Sequence, residues 1–190
     1  MENIDLSLKK ENPMEVGRIE SFLKKYPVYQ YAIVPVSEIP FSEKVRDICK
    51  HECERYGTSW SCPPAVGTVE ECKKRCMNYK FALIFSTVAE ADEAYDLSSV
   101  LKTHTEHEDI TLKLADRIAK DGNNVFALSS NSCSLCRECT YPDGKCRFPH
   151  HMHPCIESYG IVVFPLLEKL EMDYSIGEKL VLWFSILFIS

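Results

Sequence analysis

The placement of the cysteines constrains this chain more than any other feature. Ten occur among 190 residues, five between Cys49 and Cys76 and five between Cys133 and Cys155. Thiols that only fill a core would scatter along the sequence, whereas these are confined to two segments that the fold must carry as ligand-bearing loops. The chain opens "MENIDLSLKKENP", without the basic start and apolar stretch of a secretory leader, so a cytosolic protein is expected. Glutathione and thioredoxin keep thiols reduced there, and short thiol spacings then point to metal or redox chemistry rather than disulfides.

The second segment, "NSCSLCRECTYPDGKCRFPHHMHPC", carries Cys133, Cys136, Cys139 and Cys146 in the pattern C-x2-C-x2-C-x6-C. Three thiolates at successive intervals of two can wrap three irons of a cubane, and a fourth from farther along completes a [4Fe–4S] cluster. Bacterial ferredoxins share the triplet, but here the fourth cysteine follows after six residues, and the proline is displaced to Pro149. Zinc competes, since four thiolates also suit it, although its sites usually pair two C-x2-C knuckles across a longer spacer. His150, His151 and His153 stand between Cys146 and Cys155 and are either further ligands or a solvated polar run. Arg147 is either a partner for cluster charge or an ordinary surface residue.

The first segment, "CKHECERYGTSWSCPP" and its continuation, sets Cys49 and Cys53 four apart, which places them on one helix face. Cys62 follows on a turn stiffened by Pro63 and Pro64. Cys72 and Cys76 lie one turn apart on a following helix whose start carries Thr68 and Glu71 in capping-box spacing. The expected set is Cys49, Cys53 and Cys62 joined by Cys72 or Cys76. Trp60 either shields that set from water or is a plain core aromatic.

Periodicity predicts an amphipathic helix over "PMEVGRIESFLKKY", with Met14, Ile19, Phe22, Leu23 and Tyr26 on one face. It predicts strands at Tyr29 to Ile39, "FALIFSTVAE", "NNVFALSSNSC" and "KLVLWFSILFIS". Pro35 implies a sheet edge or an early strand end. A helix runs from Ser42 as N-cap, a long one from Tyr95 to Lys120, and short ones at His153 to Tyr159 and Pro165 to Glu171. The expected fold is α/β or α+β: one domain over 1–190, a small sheet of about four strands covered by helices, with cysteine-rich segments 49–76 and 133–155 inserted between strands. His104 and His107, on the face of Val100, Leu114 and Ile118, read as satisfied core histidines, and the acidic run "EADEAYD" as a solvated helix start.

Net charge is −6 and basic residues gather nowhere, which removes the electrostatic footprint of nucleic-acid binding. The longest apolar run, Lys179 to Ser190, is short of the roughly 20 residues that cross a bilayer as a helix. No membrane partner is expected. Phosphate loops, nucleophile elbows and convincing carboxylate pairs are missing from the sequence.

On "C-x3-C-x2-YG-x2-WSCPP" from Cys49 to Pro64, "EEC" with a following Tyr at Glu70 to Tyr79, "C-x2-C-x2-C" with "CR-x-P" from Cys133 to Pro149, and "ESYGI" at Glu157 to Ile161, the chain resembles the domain of unknown function 2284 family. That family groups predicted metal-binding proteins found largely in anaerobic bacteria and archaea. The resemblance implies that Cys49, Cys53, Cys62, Cys72, Cys133, Cys136, Cys139 and Cys146 are the motif positions, with Cys76 and Cys155 extra. Eight ligands would serve two four-ligand sites, and relatives fused to ferredoxin-like modules hint at electron transfer. The leading expectation is one or two [4Fe–4S] clusters exchanging single electrons with a redox partner, ferredoxin-like or an oxidoreductase. The alternatives are a zinc-binding structural or adaptor protein, and a cluster-dependent enzyme with an open metal coordination site.

Overall fold

The computed structural model describes residues 2–5, 13–91 and 97–190. Its centre is a five-stranded sheet made of β1 (Glu2–Ile4), β2 (Gln30–Pro35), β3 (Phe81–Glu90), β4 (Val125–Ser129) and β5 (Leu180–Ile189), in the spatial order β1-β2-β3-β5-β4. The four longer strands pair antiparallel, and β1 adds a three-residue parallel edge against β2. The four longer strands are those the sequence predicts. The edge strand β1 was not expected, since three residues in a polar segment carry no period. β2 ends at Pro35, which cannot donate to a ladder.

Alternation along the strands sends side chains to two faces, and both are buried. Ile33, Leu83, Phe85 and Leu187 pack against Val16, Ile19 and Phe22 of α1 (Pro13–Leu23) and against Leu114 and Ile118 of α5 (His104–Ala119). Val34, Ile84, Ile186 and Phe188 point the other way, into a cluster with Cys72, Cys76, Ile156, Tyr159 and Ile161. Each such side chain contributes roughly 1.5–3 kcal/mol by leaving water. The sheet is therefore the middle of three layers, and cysteine-bearing chain forms part of the third. The Met14 side chain, the acidic stretch 92–96 and the expected helix start at Tyr95 lie outside what is described; α4 (Leu97–Lys102) and α5 make up the rest of that helical stretch.

Helix starts follow the sequence closely. Ser42 caps α2 (Glu43–Glu52), its Oγ accepting from the Lys44 amide at 3.2 Å. At α3 (Val69–Cys76), Thr68 Oγ1 accepts from the Glu71 amide at 3.2 Å while Glu71 Oε2 accepts from the Thr68 amide at 2.7 Å. The short helix expected at His153 to Tyr159 is a single 3-10 turn, Glu157–Tyr159, and α6 (Val163–Lys169) follows it. Gly160 ends that turn with φ of 75°, and a Cβ there would stand 2.8 Å from Val69 Cγ1. The Ser42 amide donates to its carbonyl at 2.7 Å, and the Val162 amide donates to Pro40 O at 3.0 Å. These contacts lock the end of the second cysteine segment under the first. Among the described residues, no helix is long and apolar enough to cross a membrane.

Candidate metal centres

Four cysteines of the second segment come together. Cys133, Cys136, Cys139 and Cys146 line one small cavity, closed by Trp60, Ser61 and Phe148. The loop that carries them is pinned by Gly144 N–H donating to Thr140 O at 2.8 Å and by Thr140 Oγ1 donating to Lys145 O at 2.8 Å. Arg147 does not reach into the cavity; its Nη1 donates to the Glu138 carbonyl at 2.7 Å and ties down the loop backbone. Burial pushes the Cys133 thiol up to about 11, while the amides of Leu135 and His153, directed at its sulfur, pull the other way.

The Trp-Ser-Cys turn of the first segment builds a wall of this cavity. Trp60 Nε1 donates to Gly144 O at 2.9 Å, and its ring meets Tyr141 edge-on, with centroids 5.0 Å apart and planes at 87°. The buried Ser61 Oγ accepts from the Cys133 amide at 3.1 Å and lies 2.9 Å from Ser59 Oγ. Trp60 thus shields the second set of thiols, whereas its sequence position suggested the first.

Cys49, Cys53 and Cys62 line a separate cavity of about 510 Å³, and the fourth cysteine on its wall is Cys155. α2 ends at Glu52, so Cys53 is not helical; it caps the helix in extended geometry, its amide donating to Cys49 O at 3.3 Å. Burial, then the neighbouring Cys53 and Cys62, raise the Cys49 thiol to about 11. Burial, Glu157 and Cys62 raise Cys155, whose sulfur accepts from the Ser158 amide at 3.2 Å. Backbone pairing delivers Cys155 to this place, with Ser129 N–H donating to Pro154 O at 3.1 Å and Ile156 N–H to Ser129 O at 3.0 Å.

Cys72 and Cys76 sit elsewhere, fully buried in the core beneath the sheet. Cys72 Sγ donates to Val66 O at 3.4 Å and accepts from Arg75 Nη2 at 3.2 Å and Arg46 Nη2 at 3.7 Å. Burial first, and Cys72 second, raise the Cys76 thiol to about 12.

His150 and His151 are exposed. His153 is buried, and with Glu108 and Cys133 it forms a trio whose ligand atoms all lie within 4.8 Å of one another. The sequence flagged His153 among three candidates but gave no hint of Glu108, which sits on α5 far from either cysteine segment. His107 is the satisfied core histidine its pattern suggests. Its Nδ1 lies 2.8 Å from Thr87 Oγ1 and its Nε2 2.8 Å from Ser185 Oγ; burial lowers it to about 3. His104 Nε2, by contrast, is buried without a hydrogen-bond partner, and its ring packs edge-on against Trp183 at 4.8 Å.

The donor sets are soft and thiol-rich, the chemistry that selects zinc or iron–sulfur centres. No curated protein and no solved structure gives a significant match to the chain. A family model does, over residues 32–189, a span that contains every cysteine described above: the chain belongs to the family described as predicted metal-binding protein (DUF2284).

Proposed function

We propose that the protein holds two [4Fe–4S] clusters, one on Cys133, Cys136, Cys139 and Cys146 and one on Cys49, Cys53, Cys62 and Cys155, and passes single electrons to and from a redox partner. The observation that carries this reading is convergence: two cavities, each lined by four cysteines. Cys155 takes the fourth place in the first set because Cys72 is turned into the core, its sulfur occupied by Val66 O and two guanidinium groups. The C-x2-C-x2-C triplet favours a cluster over a single ion, since three sulfurs at successive intervals of two suit three irons of a cubane better than one tetrahedral zinc.

A bound [4Fe–4S] cluster supplies one-electron chemistry at a potential set by hydrogen bonds to sulfur and by exposure. The chain's own contribution is to tune those two quantities. Amides directed at Cys133 and Cys155 stabilise negative charge on the sulfurs, and Trp60 keeps water from the second set. Ser61 joins the two sets, being peptide-bonded to Cys62 and hydrogen-bonded to the Cys133 amide. The partner, ferredoxin-like or an oxidoreductase, docks at the mouth of the first cavity, where Ile48 and Phe164 are 57% and 65% exposed. Electron paramagnetic resonance of the anaerobically purified, dithionite-reduced protein tests the proposal. Signals of reduced cubanes are expected, and a silent spectrum from a colourless protein would contradict it.

A further inference from the structure

The contacts of His153 fix which of its nitrogens carries a proton. Nδ1 lies 3.1 Å from the carbonyl oxygen of His151, and a carbonyl only accepts, so Nδ1 is the donor. In the neutral ring Nε2 then presents a lone pair. That atom lies 2.8 Å from Glu108 Oε1, the one polar group it meets, at ion-pair distance but outside strict hydrogen-bond alignment. Both residues are inaccessible, His153 at 1% and Glu108 at 4% exposure. The carboxylate is held in place from behind, Oε1 accepting from the Ser134 amide at 3.0 Å and Oε2 from the Ser134 hydroxyl. So close an approach out of water needs a cation between the two atoms, either a proton on Nε2 or a metal ion. Cys133 Sγ completes the trio.

We propose that Glu108 O, His153 Nε2 and Cys133 Sγ bind one divalent transition ion of zinc's class, at a site that adjoins the second thiol set and shares Cys133 with it. One oxygen, one nitrogen and one sulfur donor are each common on zinc, and three protein ligands leave a fourth position for water or a small ligand. The outer contacts match what a metal-bound histidine needs, since donating the other ring nitrogen to a backbone carbonyl sets tautomer and orientation. A cavity of about 410 Å³ borders His153, with His151 and Met152 on its wall. Cys133 also borders the four-cysteine cavity. A thiolate sulfur has lone pairs for two metals, so Cys133 bridges this ion and the neighbouring set.

The test uses the full chain purified anaerobically, loaded with Zn²⁺ and freed of loosely held ion, with zinc, iron and acid-labile sulfide measured together. Glu108→Gln and His153→Gln are expected each to lose about one equivalent of zinc relative to wild type, with iron and sulfide unchanged. That difference is the same whether the thiolate-only sets hold iron or zinc, so failure of the cluster reading would show separately, as missing sulfide. Co²⁺ supplied to the wild-type protein should develop visible d–d absorption with a thiolate charge-transfer band, a readout that does not depend on how a variant folds. Equal zinc in all three proteins, or no cobalt band in wild type, would reduce the trio to a buried ion pair. Iron lost in step with zinc would reassign Glu108 and His153 to the cluster.

Discussion

The amide of Cys133 donates to Ser61 Oγ across 3.1 Å, and through that bond two segments remote in sequence become one unit. Ser61 is followed directly by Cys62, so one residue accepts from the first cysteine of one thiol set through its buried hydroxyl while its backbone is joined to a member of the other. The Trp-Ser-Cys-Pro-Pro turn is therefore a joint between the two sets rather than a part of one. Its tryptophan and serine serve the second set and its cysteine serves the first.

Ser61→Ala should weaken that joint. Leaving the Cys133 amide without its acceptor costs about 1–3 kcal/mol, and a fall in Tm with faster loss of iron from the second set to a chelator is the expected outcome. Thermal denaturation and timed chelator extraction measure the two effects.

Cys155→Ser and Cys72→Ser should separate cleanly. The first removes a wall of the 510 Å³ cavity, and about half of the iron and sulfide should go with it. The second leaves cluster content intact and costs only local packing, about 1 kcal/mol or roughly 2–4 °C in Tm. Iron retained in Cys155→Ser but lost in Cys72→Ser would reverse the assignment.

Trp60→Phe keeps an aromatic ring over the second set but loses the bond to Gly144 O. Faster bleaching of the visible absorption in air is expected, with metal content on isolation unchanged, as stopped-flow spectrophotometry would record.

Gly160→Ala should be among the most damaging single-atom additions to this chain. Its φ of 75° disfavours any side chain, by roughly 1–3 kcal/mol, and the new methyl would also meet Val69 at 2.8 Å. Reduced soluble yield and a lowered Tm are the expected results.

Cys76 should resist alkylation in the native protein. Its thiol is fully buried and raised to about 12, so almost no thiolate is present at neutral pH. Mass spectrometry after iodoacetamide treatment should find it unmodified until denaturant is added.

Local signals in the sequence carried most of the fold. Strands β2 to β5, the Ser42 cap and the Thr68–Glu71 box are readable because each depends on residues within a few positions. That Cys133, Cys136, Cys139 and Cys146 share one cavity follows from the same locality, since they lie within one loop. The arrival of Cys155 beside Cys62 was not, because it depends on the Ser129–Cys155 bridge at the end of β4. Spacing left Cys72 and Cys76 as alternatives for the first set and the resemblance pointed to Cys72, but α3 turns both into the core, where Cys72 Sγ meets Val66 O. Glu108 was invisible in the same way: only the packing of α5 against the end of the sheet brings its carboxylate to His153.

Iron, acid-labile sulfide and zinc, quantified together in protein purified without oxygen, test the central claim most directly. Two [4Fe–4S] clusters predict iron and sulfide in equal amounts, roughly eight of each per chain, with at most about one zinc at the Glu108 trio. Stoichiometric zinc filling both thiol sets in a colourless protein free of labile sulfide would contradict it.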